Sequence, residues 1–409
     1  MYIHEIAVRN YSIHKDTQIQ LSPITVLVGP NGSGKSALFN ALLNFSMLSR
    51  GNIGQAFGQG PYSYRATKYR GASPISRIGF DVLLSIKKDS NERLRYRIDY
   101  AQRERENAET AVFDIFTEKL DSISDKRVLF NREDPDASPL KAAIPFVTAD
   151  TGIFAAIRKS ALASPDAGIP PVVLECAKQI SRFNRFRLDS HNLSAPSFLP
   201  DLSAVEAPRI DYEGENLAGA LYYMNETAHP RMKAIRDSVR EALPGFEDFE
   251  FNTVGAQRIG FSMRFTDQRG TIAAARLSDG QLLLVGLMVL IHSENRPPVL
   301  LIEEPENGLT ATVQRVFYKA VRHLAFDDVG GDQSQVLISS HSPFILCEAW
   351  NGEDREFIHQ VKVEDGRAVV RRFSDAIATQ GIHLAKDAQG QRTQLGLKTA
   401  EELMSGYLS

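Results

Sequence analysis

A glycine-rich turn between an apolar strand and a helix is the sequence feature that most constrains the fold of this chain. Residues 24–28 read ITVLV, a short apolar run that predicts a fully buried strand. The turn that follows, residues 29–36, reads GPNGSGKS, and residues 37–48 then repeat their apolar positions with helical spacing. A strand, a tight turn and a helix in direct succession indicate an α/β fold.

The turn matches the P-loop pattern, and a buried strand before it and a helix after it are the context that this motif requires. Its glycines let successive backbone N–H groups turn onto phosphate oxygens, where the positive end of the helix dipole adds to the attraction. Lys35 would contact the β- and γ-phosphates, and Ser36 would be a ligand of Mg²⁺. A turn that merely caps a helix is the alternative, but every fixed position and both flanks agree with a P-loop.

A second apolar strand ends in two acids. Residues 299–302 read VLLI and lead into Glu303 and Glu304, at the end of the strand where ligands bind in a parallel α/β sheet. Taken alone, the pattern also fits a strand that ends in ordinary surface acids. Beside a P-loop, one carboxylate is needed in the Mg²⁺ shell and another to orient and deprotonate the attacking water. We therefore assign Glu303 to the metal and Glu304 to the water.

Two further motifs follow the same logic. Residues 277–281, LSDGQ, begin a helix and offer a hydroxyl, a small residue and backbone N–H groups, which form either a second anion site or a simple helix cap. Residues 339–343, SSHSP, place His341 just after a buried strand. There it can donate a hydrogen bond to a γ-phosphate, although an isolated histidine in this position is usually structural.

In this order the motifs resemble those of the ATP-binding-cassette (ABC) ATPases. The corresponding segments are Walker A at 29–36, the signature at 277–281, Walker B at 299–304, a D-loop at 306–309 and the switch histidine at 341. In that class ATP is sandwiched between the Walker A of one subunit and the signature of another. Since one chain carries one of each, the resemblance implies a head-to-tail homodimer with two ATP sites.

The resemblance also implies roles for individual residues. Catalytic roles fall to Lys35, Glu304 and His341, and Mg²⁺ would be held by Ser36 and Glu303. The expected ATP-binding residues are Gly29, Pro30, Asn31, Gly32, Ser33, Gly34, Lys35, Ser36, Ala37, Ser278, Gly280 and Gln281.

Two positions depart from the ABC pattern. Glu303 stands where Asp is usual, which lengthens the reach to Mg²⁺ by one methylene group. The glutamine of the Q-loop has only two candidates, Gln55 and Gln59, which lie in the loop after the Walker A helix.

The branch of the class is indicated by the N-terminus and by the middle of the chain. Residues 3–11, IHEIAVRNY, are similar to the start of the SMC, RecF and OLD-like ATPases, which handle DNA or serve in phage defence. RLDS at 187–190, YEGENL at 212–217 and LPGF at 243–246 resemble stand-alone RecF-like bacterial ATPases of the AAA15 type. The long separation of Lys35 from Ser278 weakens the alternative of a transporter ATPase subunit. No heptad run is long enough for a coiled-coil arm and few residues follow His341, so neither such an arm nor a Toprim nuclease is expected.

The expected fold class is α/β, with an ABC-type P-loop NTPase core, a mixed sheet, N-terminal antiparallel strands and an inserted, mostly helical lobe. The core would be split between residues 1–100, with Walker A, and residues 266–375, with the signature, Walker B and the switch histidine. The inserted lobe would span residues 101–265, and residues 376–409 would form a tail packed on the core.

Composition excludes several other classes of protein. The chain has 47 Lys+Arg, 50 Asp+Glu and 43% hydrophobic residues, which excludes disordered chains, collagen-like repeats and disulfide scaffolds. The most apolar stretch, residues 282–291, is about half of the ~20 residues that cross a bilayer, so no membrane segment is expected. Two distant cysteines and an N-terminus unlike a secretory signal predict a cytoplasmic protein.

A net charge of −3 gives no global attraction for nucleic acid. Residues 64–70 and 182–187 interleave cations with aromatic side chains, as a surface that follows a nucleic-acid strand would. A solvated loop and an amphipathic strand with inward phenylalanines are the favoured alternatives for these two segments. Direct DNA binding by Arg182, Arg185 and Arg187 therefore stays open.

The sequence thus predicts a Mg²⁺-dependent ATPase that dimerises around ATP and controls a partner, in bacterial anti-phage defence or DNA maintenance. A protein effector encoded nearby is the favoured partner, over DNA. The alternative from another class is a scaffold that binds ATP, turns it over very slowly and organises an effector. The presence of both Glu304 and His341 argues against that scaffold.

Overall fold

The computed structural model divides the chain into two compact units. The first unit comprises residues 1–183 and 359–379, and the second comprises residues 184–358 and 380–409. The residues that the structure describes are 1–57, 63–73, 75–103, 112–134, 138–145, 147–164, 168–204, 206–266, 270–294, 296–326, 333–352, 354–379, 384–386 and 393–405.

Short runs of strands and helices follow one another along the described residues. In chain order the strands are β1 (Tyr2–Tyr11), β2 (His14–Gln20), β3 (Ile24–Val28), β4 (Ile78–Ser85), β5 (Arg93–Arg103), β6 (Val112–Ser122), β7 (Arg127–Asn131), β8 (Asn184–Phe186), β9 (Ser197–Phe198), β10 (Phe246–Val254), β11 (Arg258–Phe265), β12 (Thr271–Ala273), β13 (Val299–Glu303), β14 (Gln335–Ser340), β15 (Ile358–Glu364), β16 (Arg367–Arg372), β17 (Ala385–Lys386) and β18 (Thr393–Gln394). The α-helices are α1 (Lys35–Leu48), α2 (Ile53–Phe57), α3 (Tyr64–Thr67), α4 (Ile153–Ala163), α5 (Pro171–Ile180), α6 (Ser190–Ser194), α7 (Leu217–Thr227), α8 (His229–Ala242), α9 (Asp279–His292), α10 (Ala311–Phe326), α11 (Pro343–Asn351), α12 (Phe373–Thr379) and α13 (Leu397–Ser405). Short 3₁₀ helices cover Ala274–Arg276 and Arg355–Phe357.

The first unit is built on an antiparallel sheet in the order β2-β1-β4-β5-β6-β7. Apolar residues alternate along its strands, so that Val8 lies opposite Phe80 and Phe80 opposite Ile98, and all three side chains are buried. The antiparallel N-terminal strands predicted from sequence are thereby confirmed. In the same unit, β16, β15 and β3 follow one another in a second sheet, and all five residues of β3 are buried.

The second unit contains three parallel strands in the order β14-β13-β8. Ile302 of β13 pairs with Ile338 on one side and with Phe186 on the other. A separate antiparallel sheet is formed by β10, β11 and β12, with β9 added to β11. Helix α9 is apolar around most of its circumference, and its residues from Leu284 to Ile291 are all buried, as expected for a helix enclosed by its neighbours.

The segment 101–265 contains helices α4 to α8 together with strands of both units, and the domain boundaries expected from the sequence stay predictions. The mixed α/β fold class is confirmed. Among the described residues, none of the helices has both the length and the apolar composition that crossing a membrane requires.

Candidate functional site

The Walker A turn of the first unit can be built only with glycine at two of its positions. Gly29 has a φ of 154°, and a Cβ atom added to it would lie 2.1 Å from the backbone oxygen of Val361 in β15. Gly34 has a φ of 110° and caps α1, where an added Cβ would lie 2.8 Å from the Ile13 side chain. The turn is therefore pressed against its own unit, and the start of α1 carries no capping side chain that would compete with an anion.

Lys35 points into this turn. Its side chain is buried, and Nζ donates hydrogen bonds to the carbonyl oxygens of Gly29 and Pro30, at 2.8 and 3.0 Å. Ser36, the next residue, has an exposed side chain. The hydroxyl of Ser33 is buried and has no hydrogen-bond partner among the described residues. The turn thus contains an ammonium group and a hydroxyl, both of which can bind an anion.

His14 is a residue of this site that sequence analysis missed. It is fully buried, its Nε2 lies 2.9 Å from the carbonyl oxygen of Gly34, and its Nδ1 lies 3.0 Å from the hydroxyl of Thr17. Burial lowers the pKa of His14, so the ring is neutral. Because a carbonyl oxygen only accepts, Nε2 carries the proton and Thr17 donates to Nδ1. The ring therefore fixes the residue that caps α1.

In the second unit, β13 delivers Glu303 into a buried position. The side chain is 2% exposed, and Oε2 lies 2.5 Å from Nη2 of Arg185, a residue of β8. The other carboxylate oxygen, Oε1, is also buried and has no hydrogen-bond partner among the described residues. Glu303 is thus half-satisfied, with one oxygen held by a cation and one available to a ligand.

Glu304 has an unusual backbone. Its φ of 43° lies in the left-handed region, where a residue with a Cβ is strained. Its N–H donates to the carbonyl oxygen of Ser339, at 2.9 Å. The carboxylate accepts a hydrogen bond from the Asn307 amide at 3.1 Å and lies 3.3 Å from Nε2 of His341. The left-handed turn at Glu304 therefore places its partly exposed carboxylate beside His341.

Glu306 ties the D-loop to the switch histidine. The backbone N–H of His341 donates to the Glu306 carboxylate. Burial raises the pKa of Glu306, and this hydrogen bond opposes the rise. The D-loop and the segment after β14 are thus joined through a carboxyl group in addition to the contact between Glu304 and His341.

The signature segment forms a helix cap. Ser278 is the N-cap of α9, and it exchanges hydrogen bonds with Gln281 in a capping box. Gly280 is required by a close approach, since a Cβ added to it would lie 2.5 Å from the carbonyl oxygen of Gly308 in the D-loop. Ser278 is exposed. The N-terminal end of α9 therefore faces solvent, with its dipole available to an anion.

The structure separates the predicted residues into two sets. Residues 29–37 form the turn and the start of α1 in the first unit, and Glu303, Glu304 and His341 share one edge of the second unit with the signature and the D-loop. Of the Q-loop candidates, Gln55 lies on α2 in a reciprocal hydrogen-bonded pair with Asn52. Gln59 lies outside the described residues.

The two stretches of interleaved cations and aromatics differ from a nucleic-acid surface. Tyr64 is buried against Phe57 and Tyr100, and it is not free to stack on a base. The Arg185 side chain is only 9% exposed and is held in an ion pair with Glu303, so it is not presented to a nucleic acid. The reason is the parallel pairing of β8 with β13, which brings Arg185 beside the acid. Arg182 and Arg187 are exposed, and Phe183 and Phe186 between them are buried, as the amphipathic-strand alternative predicts.

Comparison with known proteins places the chain in a class. It superposes on the crystal structure of an Smc head bound to the C-winged helix domain of ScpA with a TM-score of 0.54 at 13% identity, covering 92% of this chain and 100% of that chain. A second Smc head, with an extended coiled coil, bound to the C-terminal domain of ScpA and derived from Pyrococcus furiosus, gives a TM-score of 0.48 at 11% identity, covering 93% and 98%. The first of these likenesses, together with the motifs, defines the fold as that of an ABC-type ATPase head.

The family follows from sequence. Residues 24–347 match the family model described as "AAA domain, putative AbiEii toxin, Type IV TA system", and the chain belongs to that family. The DNA replication and repair protein RecF of Chloroflexus aggregans is 32% identical over 83 residues, which is 20% of this chain and 21% of that relative. The match thus spans about a fifth of the curated relative. The chain is an ABC-like ATPase of the SMC and RecF branch.

Proposed function

We propose that this chain is a Mg²⁺-dependent ATPase that dimerises around ATP and uses the dimer to control a partner. The observation that carries the proposal is the environment of Glu304. A strained residue at the end of a buried parallel strand, with its carboxylate held by Asn307 and facing His341, has the properties of a group that activates water. Family membership supports nucleotide binding by the same chain.

The residues present fit ATP and Mg²⁺. The Walker A turn offers backbone N–H groups, the Lys35 ammonium and the unpaired Ser33 hydroxyl to phosphate oxygens. Ser36 and the free oxygen of Glu303 are the oxygen ligands that Mg²⁺ prefers. When bound, Mg²⁺ neutralises charge on the phosphates. Glu304 would orient and deprotonate the water, and His341 would donate a hydrogen bond to the terminal phosphate.

The signature supports the dimer part of the proposal. Ser278 is exposed at the start of α9, with the helix dipole directed outward, and Gly280 allows the D-loop to approach closely. In the proposed sandwich, the phosphates bound by one chain's Walker A meet this helix end on the second chain. Each dimer then has two identical composite sites, as a two-fold axis requires.

We propose a protein effector as the partner. The family description names a putative toxin of a type IV TA system, which supports a role in a defence pair. DNA is the weaker candidate, because the net charge is −3 and because Tyr64 and Arg185 are engaged inside the protein. The name of the RecF relative keeps DNA maintenance as the second candidate.

Glu304→Gln tests the proposal. The amide keeps the size of the side chain but cannot accept a proton, so we expect ATP turnover to fall about 100-fold or more while ATP still binds. Lys35→Ala is the matched variant for the binding step, and it should weaken ATP binding itself. Turnover and equilibrium binding of ATP are measured on both. Near-wild-type turnover in Glu304→Gln would contradict the assignment.

The same variant tests the partner. Trapped with ATP, Glu304→Gln should elute from a sizing column as a dimer and should retain the product of a neighbouring gene when the two are mixed. Lys35→Ala should do neither. Tight, salt-sensitive binding of DNA by the isolated wild-type protein would favour DNA over the effector.

A further inference from the structure

A buried ion pair occupies the position from which Glu303 would bind metal. The parallel pairing of β8 and β13 places Arg185 opposite Leu301, so that its guanidinium reaches the end of the neighbouring strand. The side chains of Arg185 and Glu303 are only 9% and 2% exposed, and Nη2 lies 2.5 Å from Oε2. The Arg185 guanidinium also lies 5.2 Å from the ring centroid of Tyr212, which limits its movement.

This pair changes the charge that a metal ion would meet. A buried carboxylate without a cation is very unfavourable, and Arg185 removes that penalty by neutralising Glu303. The free oxygen, Oε1, is still an acceptor without a partner among the described residues. A divalent ion bound there would meet a carboxylate that is already neutralised, with a guanidinium close by that repels the ion.

We propose that Arg185 is the counter-ion that prevents Glu303 from binding a divalent cation on its own, so that metal binding depends on the phosphates of the nucleotide. The inference rests on the proposed function, in which Glu303 is a metal ligand. It makes Arg185 a positioning residue, since it acts through Glu303. The phosphates supply the negative charge that Arg185 has cancelled, and Mg²⁺ binds only when they are present.

Arg187 provides a matched control in the same segment. It lies two residues after Arg185 and approaches the second acid, with Nη2 3.8 Å from Oε2 of Glu304. Its side chain is 59% exposed, so solvent screens its charge. Arg187→Gln removes one positive charge from the same segment, as Arg185→Gln does, but it leaves no buried carboxylate without a counter-ion.

The test measures Mg²⁺ binding without nucleotide, by the dependence of thermal unfolding on Mg²⁺ concentration. Wild type should show almost no stabilisation by Mg²⁺ alone. In Arg185→Gln, the buried carboxylate of Glu303 loses its counter-ion and Mg²⁺ can take that place, so the apparent affinity for Mg²⁺ should rise at least about tenfold, the size of effect that one neighbouring charge has on proton binding. Arg185→Lys keeps the cation and should resemble wild type, as should Arg187→Gln.

The double variant Arg185→Gln/Glu303→Gln shows which group binds the ion. It lacks the buried carboxylate, so its stability should again be independent of Mg²⁺. The proposal is wrong if Arg185→Gln binds Mg²⁺ no more tightly than wild type. It is also wrong if Arg185→Gln stays unfolded at every Mg²⁺ concentration while the double variant folds, because Mg²⁺ then fails to replace the guanidinium.

Calorimetric titration of wild type with Mg²⁺ in the absence of nucleotide applies even if neither variant folds. Tight binding without ATP would overturn the proposal, and the absence of measurable binding is the expected result. None of these measurements requires hydrolysis. A protein that binds ATP but does not hydrolyse it would refute the proposed function while leaving this inference open to the same test.

Discussion

At the residue scale, several groups of the candidate site have an unfavourable conformation or environment in the absence of a ligand. Glu304 has a left-handed backbone, and the Glu303 Oε1 and Ser33 Oγ atoms are buried without partners among the described residues. Each of these features costs free energy in the absence of a ligand. All three features fall on residues that the motifs identify, and each can be relieved by a bound ligand.

Gly29 offers a residue-scale test of the Walker A turn. In Gly29→Ala the new methyl would lie 2.1 Å from the Val361 backbone oxygen, so the turn must move away from β15. We expect stability to fall by about 1–3 kcal/mol, as for other overpacked sites, and ATP binding to be lost. Urea unfolding and titration with a fluorescent ATP analogue measure the two effects.

Gly32→Ala is the control within the same turn. Gly32 has a φ of 75°, but nothing lies within 4 Å of an added Cβ, so this variant carries backbone strain without a clash. It should bind ATP more tightly than Gly29→Ala. Equal ATP affinities would mean that contact with β15 is not what requires glycine at position 29.

At the element scale, the sequence predicts those strands and helices that depend on a local pattern of apolar residues. The strand expected at residues 24–28 has these bounds in the structure, and the helix expected at 37–48 is α1, which begins two residues earlier. The strand β8, with the sequence NRF, has only three residues, which is too short for an alternation of apolar and polar residues to be recognised. Its pairing with β13 joins Arg185 to Glu303 across 118 residues, and the contact of His14 with Gly34 likewise depends on tertiary structure. A single sequence contains no signal for such pairings, so both residues were missed as parts of the site.

Glu118 of β6 also joins elements that are far apart in the sequence. Its side chain is fully buried and accepts hydrogen bonds from the first N–H of α4, at Ile153, and from the Tyr96 hydroxyl of β5, both at 2.6 Å. It also forms an ion pair with Arg132, with Nη2 2.5 Å from Oε2. One carboxylate thereby fixes the start of α4 to β5, to β6 and to the residue that follows β7.

Glu118→Gln should therefore be strongly destabilising. The amide places N–H groups towards donors and leaves Arg132, whose side chain is 15% exposed, without its counter-ion. We expect a loss of about 3 kcal/mol or more in urea unfolding, as for other broken buried pairs. Glu133→Gln, at an exposed position nearby, should change stability by less than about 0.5 kcal/mol. Similar losses in the two variants would show that Glu118 is not the group that fixes α4.

At the scale of the whole molecule, the motifs are divided between the two units. Walker A belongs to the first unit, and the signature, Walker B and the switch histidine belong to the second. A chain with one Walker A and one signature can complete two composite sites only by pairing with a second copy. The proposed dimer therefore predicts that two variants with defects in different motifs restore activity when they are mixed.

Ser278→Arg and Lys35→Ala should complement each other. Ser278 is exposed, so losing its cap costs only about 1 kcal/mol and the variant should fold and bind ATP, while the large cation blocks the phosphate-facing end of α9. Each variant alone should be inactive, because both composite sites then carry a defect. A mixed dimer has one intact site, from the Walker A of one chain and the signature of the other. Equal mixing makes half of the dimers mixed, so ATP turnover should recover to about one quarter of wild type. Full activity of Ser278→Arg alone, or no recovery on mixing, would contradict a site shared between two chains.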